Sequence, residues 1–159
     1  MEITETLARL AETKGWSTEV VDEKNFKIKF VDRFGEAETY LIEIIDFFEP
    51  YLHMDVSRFG IFVRSKENNL GPEILKAALK RNSKHKVMRW VLYESSENSA
   101  LFLRYMLILT MEVQPMLTGF ESVFNIMAEE SKRFHADFVK QQAEEVQQMI
   151  TDRLNKFKE

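Results

Sequence analysis

The 159-residue chain has no cysteine, five glycines and three prolines. Without thiols it can form no disulfide and no thiolate-held zinc or iron–sulfur centre. So few glycines and prolines leave little material for a flexible linker, and no Pro- or Ser-rich break divides the sequence. The scattered glycines make neither G-x-G nor G-K-[ST], and G-x-S-x-G is absent too, so the phosphate-loop and nucleophile-elbow chemistries are excluded. Long hydrophobic runs are also missing. The longest nearly uncharged stretch, around residues 105–111, falls far short of the ~20 residues of a membrane helix. The start, Met1-Glu2-Ile3-Thr4-Glu5, is acidic and polar, unlike the basic opening of a secretory signal. These absences lead us to expect a soluble, cytoplasmic protein with one domain over residues 1–138 and a helical extension over 139–159.

What is present is ordinary for a folded protein: 45% hydrophobic and 30% charged residues, enough to argue against disorder. The net charge of −4 is unevenly spread. Residues 1–70 hold 14 acids and 9 bases, and residues 94–159 hold 11 acids and 7 bases. Residues 71–93 hold one acid, Glu73, and six bases: Lys76, Lys80, Arg81, Lys84, Lys86 and Arg89. A single basic segment therefore sits in an acidic chain.

Hydrophobic periodicity predicts the fold class. Ile3, Leu7, Leu10 and Ala11 mark one face of a first helix, with Thr4 as N-cap and Gly15 as stop. Residues 18–21 suit a short strand. Phe26, Ile28 and Phe30 alternate with Lys27 and Lys29 as in a half-buried strand. Arg33-Phe34-Gly35-Glu36 reads as a hairpin turn before a strand over 37–45. A third run over 51–63 alternates Leu52, Met54 and Val56 with His53 and Asp55, and Gly60 suggests a bend.

Asn68-Asn69-Leu70-Gly71 is strong punctuation, and Pro72 suits the first position of a helix carrying Ile74, Leu75, Ala78 and Leu79. Two strands follow, over 86–93 and 100–111, joined by the polar loop 94–99. The second is apolar on both faces, with Leu101, Leu103, Leu107 and Leu109 against Phe102, Met106 and Ile108, so we expect it to be central and covered on both sides. From Thr118 or Gly119, Phe120, Phe124, Met127, Ser131, Phe134 and Phe138 form a coiled-coil-like seam. It continues shifted through Val139, Ala143, Val146, Ile150, Leu154 and Phe157. A helix of about 39 residues would be about 58 Å long, beyond the ~31 Å expected of a domain this size. Either it bends near 138 or its second half needs a partner.

The expected class is therefore α+β, an antiparallel sheet with element order α-β-β-β-α-β-β-α and a long C-terminal helix. No chemistry stands out along it. His53 and Asp55 project from one face of a strand but lack a third ligand, and His85 and His135 have no ligand neighbours, so we assign no metal. No catalytic residue, cofactor or enzymatic activity is assigned either. The basic stretch 76–89, with Trp90 and Tyr93, offers an alternative role as a ligand-sensing or nucleic-acid-associated regulator. The acidic whole and the spread of the bases over three elements disfavour nucleic acid.

The apolar residues are the stronger lead. Thirteen Phe and eight Met are many for this length, although most should fill the core. Phe47, Phe48 and Tyr51 cluster around Pro50, where a connection ought to be polar, and mark a candidate exposed patch. Met88, Trp90 and Leu92, with Leu75 and Leu79, are the candidate dimer or partner interface. Ile150, Leu154 and Phe157 are the candidate docking residues of the tail.

This order of elements, with Leu70-Gly71-Pro72 opening the middle helix and a hairpin running into an amphipathic C-terminal helix, resembles the type III secretion chaperone-like fold. The small acidic secretion chaperones and the YbjN-type sensory transduction regulators share that fold. The resemblance covers about residues 3–138. It implies a homodimer without chemistry, burying the middle helix and the next strand, here about 73–82 and 87–92, with partner segments wrapped around the sheet and first helix in extended form. The extension beyond about 140 departs from the secretion chaperones and favours the uncharacterised branch. The resulting expectation is a non-enzymatic protein-binding module, chaperone-like or a regulatory adaptor, with no membrane partner.

Overall fold

A computed structural model describes residues 3–65, 72–94 and 98–157. The elements are α1 (Ile3–Glu12), β1 (Ser17–Val20), β2 (Asn25–Val31), β3 (Ala37–Phe48), β4 (Tyr51–Ser65), α2 (Pro72–Asn82), β5 (Met88–Glu94), β6 (Asn98–Thr110) and α3 (Val113–Phe157). The short first strand forms, so the sheet has six strands, all antiparallel, in the order β1-β2-β3-β4-β6-β5. The punctuation over 68–71 and the centre of the 94–99 loop lie outside the described residues.

Local chemistry explains the connections. Gly15 and Gly35 take positive φ values of 80° and 82°, a region open to glycine at little cost, and so end α1 and turn the β2–β3 hairpin. Asp22 Oδ1 accepts the backbone amides of Lys24 and Asn25, each at 2.8 Å, and fixes the β1–β2 turn. Thr4, expected as an N-cap, lies inside α1. Its hydroxyl donates to the Asp22 carbonyl at 3.2 Å and ties the helix to that turn. The β3–β4 hairpin turns at Glu49–Pro50, whose peptide bond is cis.

Strand register sorts the side chains into two faces. Partners across an antiparallel pair share a face, and neighbours along a strand alternate. Phe26, Ile28, Tyr40, Ile42, Met54, Val56, Leu103 and Trp90 fall on one face and are buried. Leu7, Ala8 and Ala11 of α1, Ile74 and Ala78 of α2, and the α3 seam from Met116 to Phe138 complete the same core cluster. All three helices thus cover one face of the sheet. Burying each Phe of the seam contributes roughly 1.5–3 kcal/mol, which explains why α3 runs along the sheet.

Two expectations need correction. β6 is not central: it lies next to edge strand β5. Its helix-side face is covered, but on the opposite face only Phe102 is buried among the described side chains, below the Arg104 guanidinium 5.4 Å away, while Met106 and Ile108 are exposed. Apolar residues on both faces of a strand mark two apolar surfaces, and the helices cover one of them. The second correction concerns α3, which starts at Val113 rather than near 118. Pro115 falls in the first turn, where its missing N–H breaks no helical bond, so it opens the helix instead of blocking it. The helix has 45 residues, runs without interruption through 138, and is about 68 Å long.

Candidate functional site

The uncovered face of the sheet is the candidate site. Leu52 is fully buried on the helix side, so its neighbour Tyr51 points the other way, opposite Phe48. His53 is paired with Ile108, and Asp55 with Met106, on that same face. Ile45 lies at the register shift between Ile44 and Asp46, and Val87 accepts the Met106 amide at 2.9 Å through its carbonyl. The result is an apolar strip: Phe48, Tyr51, Val87, Met106 and Ile108 are each 42–57% exposed. Charged residues border it on the same face, Glu43, Asp46 and Asp55 on one side and Arg89 and Arg104 on the other. An exposed apolar strip with a polar rim is the usual surface signature of an interface.

Among the described strands β5 pairs only with β6, but its outer side is capped in the middle: Asn82 Oδ1 accepts the Trp90 amide at 2.6 Å and Asn82 Nδ2 donates to the Trp90 carbonyl at 3.0 Å. Met88, Trp90 and Leu92 lie on this edge strand, but their side chains do not form one free surface. Met88 and Trp90 are 5% and 4% exposed. The Trp90 ring packs against Phe134 with centroids 4.5 Å apart, and its backbone amide donates to Asn82 Oδ1 at 2.6 Å. Of the candidate interface residues, Leu79 and Leu92 are exposed and Leu75 is half-buried. Alternation along β5 shows which residues share a face, but it does not show that α2 and α3 already cover it.

The candidate patch residues Phe47, Phe48 and Tyr51 are all about half exposed. Phe47 pairs with Leu52 and so falls on the helix side at the end of the sheet, while Phe48 and Tyr51 join the uncovered face. Ile150 and Leu154 stand exposed on α3, and the Phe157 side chain lies outside the described residues.

Two buried polar networks were not anticipated. In the first, Arg58 Nη1 donates to the Tyr40 hydroxyl at 2.7 Å, and that hydroxyl donates to the Phe124 carbonyl at 3.1 Å. Asp32 lies 3.8 Å from Arg58 and also accepts the amides of Phe34 and Glu36, so the network joins the β2–β3 turn, the sheet and α3. Burial pushes the Tyr40 hydroxyl up to about 12, with Arg58 opposing. In the second, Glu130 is 4% exposed and receives Arg81, His85 at 2.9 Å and, at 3.5 Å, the Trp90 indole nitrogen. The Glu130 hydrogen bond raises the Arg81 pKa, and Asp137 adds to it. Asp32 Oδ2 and Arg58 Nε of the first network are buried without a hydrogen-bond partner among the described residues, while both networks tie separate elements together inside the core and read as structural.

Among the described residues no group of three His, Asp or Glu side chains could hold a metal ion, and no helix is long and apolar enough to cross a membrane. No protein-family profile matches the chain. No curated protein matches it. Among solved structures, it is similar to YbjN from E. coli, for which a role in transcription regulation has been suggested. The two share 13% sequence identity and a TM-score of 0.47, over 87% of this chain and 92% of that one.

Proposed function

We propose that the protein is a non-enzymatic binding module that holds a partner polypeptide against the uncovered sheet face, as a chaperone-like or regulatory adaptor. The observation that carries this reading is the apolar strip from Val87 and Met106 through Ile108 to Phe48 and Tyr51. A partner segment gains burial of those side chains. The basic segment lends less to a nucleic-acid reading. Arg81 is held by Glu130 and Asp137, Arg89 lies on the sheet, and Lys80 and Lys84 stand by α3, so no single phosphate-tracking stripe forms.

The test is affinity capture from native lysate with the natural chain and with Phe48→Glu/Ile108→Lys. Both positions are exposed, so the variant should fold with a stability change within about 1 kcal/mol. We expect partners that survive moderate salt with the natural chain and are lost with the variant. An identical partner set from both would sink the sheet-face reading. Light scattering on the same samples measures self-association, for which Leu79 and Leu92 are the exposed members of the expected dimer face.

A further inference from the structure

A second surface lies on the opposite side of the molecule and is independent of the sheet face. Between α2 and the middle of α3 there is a cleft of about 270 Å³. Ala77, Phe134 and Phe138 form its apolar part; Phe138 is 7% exposed and Phe134 only 1%, so the accessible apolar surface belongs to Ala77 and the edge of Phe138, behind which the Phe134 ring lies nearly parallel, 4° apart in plane and 6.4 Å between centroids. Lys80, Lys84 and Lys140 line the remainder.

The charges around the cleft are unequal in their availability. Arg81 and Asp137 also line it, but they bond to each other at 2.7 Å, and Arg81 is held from behind by Glu130. Lys80, Lys84 and Lys140 are exposed and make no side-chain hydrogen bond or ion pair among the described residues. Glu144 opposes them within the lining, and the single charge of Arg81 offsets only one of its two acids, Asp137 and Glu130, so the excess is one positive charge. Three free ammonium groups around an apolar floor leave a local positive excess that an acidic head group would neutralise. The volume falls below the ~300–1,000 Å³ of clefts that hold drug-sized ligands, so the body attached to that head must be small.

We propose that this cleft binds a small amphiphilic anion: one acidic head group at the lysines, and a short alkyl or aryl body against Ala77 and Phe138. Lysine suits this role because its ammonium is a point charge that accepts an acidic head from several directions, whereas the planar fork of Arg81 is already occupied. Occupancy would also be sensed inside the protein. Phe134 is stacked between Phe138 and the Trp90 ring, so a ligand against Phe138 is linked to the indole through two ring contacts.

Calorimetry with octanoate, octanol and acetate on the full chain tests this. Saturable octanoate binding is expected, with octanol and acetate weaker by about tenfold or more, since one lacks the charge and the other the body. Lys80→Gln/Lys84→Gln/Lys140→Gln should reduce octanoate binding to the octanol level while leaving the thermal transition in place, because all three side chains are exposed. In a Trp16→Phe background, octanoate should change Trp90 emission. Equal binding of octanoate and octanol, unchanged octanoate binding by the lysine variant, or no octanoate binding at millimolar concentration would each overturn the proposal. Vesicles distinguish the source of the head group. Lysine-dependent sedimentation with phosphatidylglycerol vesicles but not phosphatidylcholine vesicles, alongside octanoate binding, assigns it to a lipid. Octanoate binding without sedimentation assigns it to a free molecule, and sedimentation without octanoate binding overturns the cleft as the site.

Discussion

Tyr40 shows how a single residue can report on a core. Its hydroxyl links Arg58 to the Phe124 carbonyl and is fully buried, and burial raises its pKa from 10.0 to about 12. The proton is held more tightly in the folded state. This contribution is therefore complete below about pH 10 and is lost as pH rises towards 12, a decline on the order of 2 kcal/mol. Phenolate absorbance should show one of the four tyrosines titrating late, and Tyr40→Phe should remove that step. A late step that survives in Tyr40→Phe would contradict the assignment. The network could be glimpsed in the sequence, since Arg58 continues the buried parity of Leu52, Met54 and Val56. A charge in that position calls for a buried partner, but Asp32 and Tyr40 are distant in sequence and reach it only by folding. Glu130 was hidden for the same reason: on α3 it resembles any solvated acid until α2 brings Arg81 and His85 to it.

Elements were more legible than sites because a period is local and a covering layer is not. The start of α2 matched, since Pro72 is a strong terminal signal. Trp90 misled because its placement depends on where α3 lies. The second half of α3 is the element whose role is most open to measurement. Every described side chain over residues 147–156 is exposed, including Met149, Ile150 and Leu154. Deleting residues 147–159 should therefore shift the midpoint of thermal unfolding by less than about 2 °C. A much larger drop that depends on protein concentration would show instead that a second copy covers the tail.

At the scale of the whole molecule, one hydrophobic cluster takes in α1, α2, α3 and strands β2 to β6. The two tryptophans sample it at separate points. Trp16 packs on Phe30 and Phe124, while Trp90 packs on Phe134, about 15 Å further along α3. If residues 1–138 form one cooperative unit, Trp16→Phe and Trp90→Phe, each followed by its remaining tryptophan, should lose tertiary structure in the same transition as the helical signal. Tryptophan and helical signals that part company within either variant would divide the chain into two units.

The length of α3 has a consequence for how the molecule turns in solution. A rod of about 68 Å fixed along one face of a smaller body gives a diffusion tensor with one long axis. The amide bond vectors of a helix all lie close to that axis, whereas those of the strands lie at many angles to it. Nuclear spin relaxation should then separate the α3 amides from the sheet amides as a group, with no internal motion needed to explain the offset. A second copy packed along the tail would make the particle rounder and close that gap.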